Sequence, residues 1–291
     1  MPKALTQTRE LLDMIKFEHT VFALPFAFLA AMEAAQGLPP LRALLWIVAA
    51  MVGARTAAMT FNRLADADLD ALNPRTAMRA LPAGRVSRGG AWLMLGLSAA
   101  LLGVAAGALN PLCWKLAPLA LLIILGYSWC KRFTSLAHLV LGLSLAGAPL
   151  GAWIALTGRV DPPAWWLAAG VLCWTGGFDI LYALQDQAFD RSAGLHSIPS
   201  KLGTSLSLAI SRTLHLAALA AWAMFNLEIG AHLFGWLGWV AVACMLAREQ
   251  WLVREGNLDR IDEAFFTLNS LVGLAFFGGH LVERMAGLAF L

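Results

Sequence analysis

The hydrophobic residues of this chain are concentrated in long runs that alternate with short polar stretches. Most runs are roughly 18 to 24 residues long, which is the length that a helix needs to cross a hydrocarbon core about 30 Å thick. The pattern therefore predicts about nine transmembrane helices. They are expected near residues 20–37, 41–64, 89–109, 111–129, 136–156, 164–186, 205–226, 229–248 and 265–286.

The composition agrees with this interpretation, and a water-soluble globule is a poor fit to it. Of 291 residues, 59% are hydrophobic and 13% are charged, whereas a soluble domain carries about 25% charged residues. We therefore expect an all-α, polytopic membrane protein that is surrounded by membrane lipid. Nucleic acid is not an expected partner. The cysteines are scattered, and we expect them to be packing residues.

Lysine and arginine are concentrated in alternate connections between the predicted helices, so these connections share one side of the membrane. The basic residues of these connections are Arg75, Arg79, Arg85, Arg88, Lys131, Arg132, Arg191, Lys201, Arg248, Arg254 and Arg260. Cytoplasmic loops carry the excess of Lys and Arg in membrane proteins. We therefore predict a bacterial cytoplasmic membrane protein whose N-terminus and basic loops are cytoplasmic.

A first acidic motif follows the second hydrophobic run. Asn62, Asp66 and Asp70 recur every four positions, which places them on one face of a helix with about 6 Å between successive levels. Such a face can hold a hard cation. Asp68 lies off this face and is expected to point toward solvent.

A second acidic motif has the same spacing and also ends a long apolar run. Asp186 and Asp190 are four positions apart, with Tyr182 and Asp179 one and two turns earlier. The repetition leaves two descriptions of the domain organisation open. The chain is one membrane-embedded domain over 1–291, or that domain consists of two related halves, about 1–130 and 131–291.

Together the two motifs suit a diphosphate clamp. Mg²⁺ prefers oxygen ligands and binds through one or two carboxylates together with substrate phosphates. Cationic side chains predicted at the same membrane face could neutralise the remaining phosphate charge. These cations are Lys16, Arg75, Arg79, Lys131 and Lys201. The alternative is that the carboxylates are ordinary loop-end residues that pair with nearby arginines.

Several segments resemble the UbiA superfamily of intramembrane prenyltransferases, and the resemblance extends over most of the chain. Besides the two acidic motifs, it rests on Lys16–Thr20, Asn73–Thr76, Tyr127-Ser128 with Lys131, and Gly194–Pro199. The resemblance implies a nine-helix fold around a central cavity. It also implies Mg²⁺-dependent transfer of a polyprenyl chain from polyprenyl diphosphate to a hydroxylated aromatic carboxylate in ubiquinone or menaquinone synthesis.

The acceptor stays open between 4-hydroxybenzoate and a dihydroxynaphthoate, because the Asn62-Arg63 start is similar to the futalosine-linked menaquinone branch. The family's first motif commonly begins Asn-Asp, so Arg63 stands in place of one carboxylate. This departure either reduces the number of metal contacts or gives Arg63 a role in phosphate binding. Two other classes compete. One is a superfamily member that uses haem, a chlorophyll precursor or a lipid glycerol. The other is a membrane transporter, whose site is expected nearer the bilayer midplane.

The candidate site residues take their roles from the resemblance and from their own chemistry and placement. The resemblance implies that Asn62, Asp66, Asp70, Asp186 and Asp190 hold Mg²⁺ and diphosphate, and the four aspartates are the predicted catalytic residues. Diphosphate binding falls on Lys16, Arg63, Arg75, Arg79, Tyr127, Ser128, Lys131 and Lys201. Acceptor binding falls on Arg55, Asp179 and Tyr182. For Arg55, which lies inside an apolar run, an ion pair with Asp179 is the competing interpretation.

Overall fold

The structure, a computed structural model, describes residues 22–289, without the side chains of residues 288 and 289. Within this range all regular secondary structure is helical. The α-helices are α1 (Leu24–Ala34), α2 (Leu41–Leu72), α3 (Arg88–Leu109), α4 (Pro111–Cys130), α5 (Ala137–Thr157), α6 (Pro162–Ala183), α7 (Gln187–Ser192), α8 (Ile198–Glu228), α9 (Leu233–Leu252) and α10 (Asn269–Ala289). A 3₁₀ turn, Leu184–Asp186, joins α6 to α7, and a π-helical stretch, Glu263–Leu268, precedes α10.

The predicted all-α, polytopic architecture is confirmed. Seven helical stretches of the described range are long and apolar enough to cross a membrane. Within the described residues, two of the predicted spans, 20–37 and 229–248, have no counterpart among these seven stretches. The described part of the first is the 11-residue helix α1, and the polar residues 248–250 lower the mean hydropathy of α9. The predicted count of nine is therefore approximate.

Local sequence explains several helix boundaries. The Asn110 side chain accepts hydrogen bonds from the backbone N–H groups of Leu112 and Cys113, both at 2.9 Å, and so caps α4. Ser197 and Ser200 form a reciprocal capping box at the start of α8. Such caps satisfy donors that a helix N-terminus leaves unpaired.

Two glycines let the helices that carry the acidic motifs pack closely against their neighbours. A Cβ atom at Gly142 in α5 would collide with the carbonyl oxygen of Leu172 in α6. A Cβ atom at Gly53 in α2 would lie 2.8 Å from the carbonyl oxygen of Ser98 in α3. Small residues at helix contacts are typical of membrane proteins, where association depends on van der Waals packing.

An aromatic core fills the space between α1, α6, α8 and α10. Phe26, Trp174, Trp222 and Phe276 are fully buried, and the rings of Phe26 and Trp222 stack with centroids 5.2 Å apart. Trp174 belongs to α6, the helix that precedes the second acidic motif. The aromatic side chains of the core stabilise the packing of α6 against α1, α8 and α10.

The backbone conformation at the two acidic motifs differs from the prediction. Helix α2 continues to Leu72, beyond the predicted end at residue 64, so Asp66 and Asp70 lie on an uninterrupted helix. Helix α6 ends at Ala183, and the following turn is 3₁₀. The predicted helix 164–186 therefore ends three residues early, and Asp186 lies in a 3₁₀ turn before the short helix that carries Asp190.

Candidate active site

A single cavity of about 200 Å³ brings both acidic motifs together at the ends of α2, α4 and α6. Most of the predicted site residues line it. They are Asn62, Asp66, Asp70, Arg75, Arg79, Tyr127, Ser128, Lys131, Asp179, Tyr182, Asp186 and Asp190. The packing of the helices thus brings together two motifs that are far apart in the sequence, as a shared site requires.

The first motif is held by cations and an amide. Arg79 donates through Nη1 to both carboxylate oxygens of Asp70, each at 2.7 Å. Asn62 donates to Asp66 at 3.0 Å, and Arg132 approaches the same carboxylate at 3.5 Å. Asp68 is 87% exposed and pairs with an arginine at the surface, which confirms its predicted direction.

Residues of the loop that follows the first motif, between α2 and α3, donate hydrogen bonds to the second motif. Arg75 donates through Nε to Asp186 at 2.9 Å and through Nη1 to the hydroxyl of Tyr182 at 3.0 Å. Asn73 donates to the same Asp186 oxygen at 3.3 Å. Burial acts to lower the pKa of Arg75, but the hydrogen bond and negative charge of Asp186 raise it, so Arg75 stays a cation.

Asp179 lies deeper along α6 and pairs with a histidine. His138 Nδ1 lies 2.6 Å from Asp179 Oδ2, and the backbone N–H of Ile198 donates to His138 Nε2 at 3.4 Å. The predicted alternative of an ion pair between Arg55 and Asp179 is therefore wrong. The Arg55 Nε atom is buried and has no hydrogen-bond partner within residues 22–289.

Three of the described predicted site residues do not line the cavity: the acceptor residue Arg55 and the phosphate ligands Arg63 and Lys201. Arg63 is buried, and its Nη1 lies 3.5 Å from the side-chain oxygen of Asn62. Lys201 is exposed on α8. Lys16 lies outside the described residues.

The cavity also contains side chains that were not assigned a role from the sequence. They are Leu69, Asn73, Thr76, Arg132, Ala137, Leu141, Ala183, Phe189 and Leu195. Asn73 lies two positions before Arg75, and Arg132 directly follows Lys131, so their nearness to predicted site residues in the sequence was a usable signal. The apolar residues carry no such signal, because only the packing distinguishes them from lipid-facing positions.

The donor set of the cavity fits Mg²⁺ bound together with a diphosphate. Among the described residues, no group of three or more His, Cys, Asp and Glu side chains converges as a ready-made metal site. Mg²⁺ does not need one, since one or two carboxylates, waters and phosphate oxygens complete its shell. Asp190 is 2% exposed, and its Oδ2 atom has no hydrogen-bond partner within residues 22–289. A cation would satisfy this buried oxygen.

The fold and the cavity define a class of protein: a helical membrane enzyme whose polar site lies at the ends of apolar helices. Such a site suits a substrate with a charged head and a long apolar tail. Comparison with known proteins identifies the family. The sequence model of the UbiA prenyltransferase family matches residues 23–271, and the chain belongs to this family.

Relatives agree over most of the chain. A 4-hydroxybenzoate octaprenyltransferase of Alkalilimnicola ehrlichii is 34% identical over 257 residues, which cover 87% of this chain and 86% of the relative. One from Shewanella baltica is 32% identical over 254 residues, with 86% and 87% covered. The predicted family and enzyme class, a membrane prenyltransferase, are confirmed.

Solved structures show the same fold. The apo structure of a UbiA homologue from Aeropyrum pernix K1 matches with a TM-score of 0.85 and 35% identity, covering 92% of this chain and 98% of that one. A UbiA homologue from Archaeoglobus fulgidus bound to DMAPP and Mg²⁺ matches with a TM-score of 0.72 and 19% identity, covering 94% and 98%. The second likeness shows the fold alone.

Proposed function

We propose that this chain transfers a polyprenyl group from polyprenyl diphosphate to a hydroxylated aromatic carboxylate, with Mg²⁺ as cofactor. The convergence of both acidic motifs and the basic loop on one cavity carries the proposal. The head of a polyprenyl diphosphate needs cations and metal ligands, and its tail needs an apolar surface. A cavity at the ends of membrane helices provides both.

Asn62 and the carboxylates Asp66, Asp70, Asp186 and Asp190 would hold Mg²⁺ together with the diphosphate. The metal supplies charge neutralisation that makes diphosphate a better leaving group. Phosphate oxygens are bound by cationic and hydroxyl side chains that line the cavity: Arg75, Arg79, Tyr127, Ser128 and Lys131. The Ser128 hydroxyl is buried without a hydrogen-bond partner within residues 22–289, so it is free to donate.

The acceptor binds deeper than the diphosphate, beside Asp179 and Tyr182. Arg55 is the candidate partner for the acceptor carboxylate, since a guanidinium binds a carboxylate bidentately and an unpaired one is costly inside a membrane. The relatives named 4-hydroxybenzoate octaprenyltransferases support 4-hydroxybenzoate as the first acceptor to test. A dihydroxynaphthoate is the second, because it carries the same hydroxyl and carboxylate groups.

Apolar side chains of the cavity keep water from the reactive allylic carbon. Leu141, Phe189 and Leu195 line its wall. Exclusion of water protects a carbocation-like centre from hydrolysis and strengthens electrostatic interactions in the site. The lysine and arginine distribution supports a cytoplasmic location for the cavity in a bacterial inner membrane.

The test is product formation by purified protein in lipid, with a polyprenyl diphosphate, Mg²⁺ and each candidate aromatic acid. We expect a prenylated acid with one of the two acceptors, loss of the product with EDTA, and its return on addition of Mg²⁺. Folded protein that forms no prenylated product with either acid would contradict the proposal. Haem, a chlorophyll precursor and a lipid glycerol would then be tested as acceptors.

A further inference from the structure

Two arginine-bound carboxylates of the cavity contrast with a third carboxylate, which is bound by a histidine. Asp70 and Asp186 are bound by arginines, Arg79 and Arg75. Asp179 is bound by His138, whose side chain is fully buried. Fixed cations therefore occupy Asp70 and Asp186. The histidine instead orients the Asp179 carboxylate toward the cavity that it lines, and among the described residues no arginine forms an ion pair with Asp179.

The hydrogen bonds determine which nitrogen of His138 carries the proton in its neutral form. The backbone N–H of Ile198 can only donate, so His138 Nε2 accepts. In the neutral ring the Nδ1 atom therefore carries the hydrogen, and it donates a hydrogen bond to Asp179 Oδ2 at 2.6 Å. One carboxylate oxygen of Asp179 is thus held by α5, and α5 is tied in turn to the first residue of α8.

Asp179 also has the depth expected for the acceptor ring. It precedes Asp186 by seven residues, which corresponds to roughly 10 Å along a helix. Asp186 lies at the level of the arginines that suit a diphosphate. Around His138 the cavity wall is apolar, formed by Ala137 and Leu141. An aromatic ring fits this deeper part better than a phosphate does.

We propose that His138 is a positioning residue that orients Asp179, and that Asp179 accepts the proton that the acceptor ring loses. The inference rests on the proposed function. In the reaction, the C–O bond of the polyprenyl diphosphate breaks and diphosphate leaves with the electron pair. A ring carbon forms the new C–C bond, its C–H bond breaks, and the proton passes to the Asp179 carboxylate and then to solvent.

The first test compares His138→Leu with His138→Asn. Leucine removes the donor to Asp179, and we expect kcat to fall roughly tenfold to a hundredfold while the KM for polyprenyl diphosphate changes less than about twofold. Asparagine keeps a donor near the Nδ1 position and should recover most of the loss. His280→Leu is the matched control. His280 is also buried, but it packs against Phe225 and Phe276 outside the cavity, so its kcat should stay near that of the wild type.

The second test uses Asp179→Asn and an acceptor deuterated at the ring positions next to the hydroxyl. Loss of the base should lower kcat by about a hundredfold or more. It should also make C–H cleavage slow, so deuterium should reduce the rate of this variant more than that of the wild type. Asparagine is close in size to aspartate, so this variant tests the inference even if His138→Leu does not fold.

The outcomes separate this inference from the proposed function. If the wild-type protein forms no prenylated product, the proposed function itself is refuted. An active wild type with an Asp179→Asn variant that keeps its kcat, or that shows the wild-type isotope effect, overturns the role of Asp179. A folded His138→Leu variant with unchanged kcat, or an asparagine variant that recovers nothing, overturns the role of His138.

Discussion

The two acidic motifs have the same spacing but different backbones and different partners. In the first motif, Asp66 and Asp70 lie on the uninterrupted helix α2. In the second, a 3₁₀ turn contains Asp186, and Asp190 follows in the short helix α7. In the first motif both carboxylates have an arginine partner: Asp70 pairs with Arg79 and Asp66 with Arg132. In the second motif, within the described residues, only the earlier carboxylate, Asp186, pairs with an arginine.

This difference shows how one loop serves both motifs. The loop between α2 and α3 carries Arg79, which binds its own motif, and Arg75, which crosses to the other. The loop thus closes the gap between α2 and α6. Asp190 keeps a buried oxygen without a partner in the described range, so the two motifs are not equivalent toward a metal. Two motifs with the same sequence spacing therefore form one asymmetric site.

The largest expected effect is on turnover, and it tests whether the two motifs act together. Asp66→Asn and Asp186→Asn should each lower product formation by at least about a hundredfold, because each removes a charge that would hold metal and diphosphate. Asp68→Asn is the matched control on the same helix, and it should change activity less than about twofold because its ion pair is exposed. An active Asp66→Asn/Asp186→Asn double variant would refute the clamp.

The next largest effect is expected at Arg75, which connects the loop after the first motif to Asp186 of the second. Arg75→Ala should raise the KM for polyprenyl diphosphate roughly tenfold to a hundredfold, since a charge-assisted contact is lost. Arg75→Lys should recover only part of the loss, because an ammonium group lacks the planar fork. Arg88→Ala removes an exposed cation next to the same loop and should leave this KM unchanged. Equal effects of Arg75→Ala and Arg88→Ala would show that only net charge matters.

Substitutions deeper along the two motif helices should affect binding of the aromatic acceptor and not binding of the polyprenyl diphosphate donor. Arg55 on α2 and Asp179 on α6 are of opposite charge and are not paired with each other. Arg55→Ala should raise the KM for the aromatic acid about tenfold and leave the KM for polyprenyl diphosphate unchanged. Arg42→Ala, at the exposed start of α2, is the control. Unchanged acceptor kinetics would remove Arg55 from the site.

The smallest effects on activity concern packing of the two motif helices. Gly142→Ala should destabilise the protein by about 1–3 kcal/mol, because the added methyl group meets the backbone of Leu172. Gly53→Ala has slightly more room and should cost less. Gly147→Ala meets nothing within 4 Å and is the control. Thermal unfolding in detergent measures the order, and a control as destabilised as Gly142→Ala would contradict it.

Much of the site could be predicted from the sequence. The i, i+4 spacing of Asp66 and Asp70 placed them on one face, because helical periodicity depends only on local backbone geometry. The direction of Asp68 followed from the same rule. The rule did not hold at Asp186, where the backbone leaves the α-helical form. Local periodicity cannot report such a change when the residues on both sides are compatible with a helix.

The partners of the charged residues were harder to predict. The sequence indicated that Arg55 needs compensation in an apolar helix, but it suggested Asp179, which is bound by His138 instead. The apolar lining at Leu141, Phe189 and Leu195 could not be separated from lipid-facing positions. A partner is decided by which helix faces are adjacent, and adjacency is not encoded in the spacing along one helix.

The sequence by itself determined that the chain is a polytopic helical membrane protein with two acidic motifs at helix ends, because hydrophobic run length and helical period act locally. The tertiary structure alone decided that Arg75 crosses to Asp186 and that His138 holds Asp179. These contacts join residues 111 and 41 positions apart. They arise only when close packing brings the helices together.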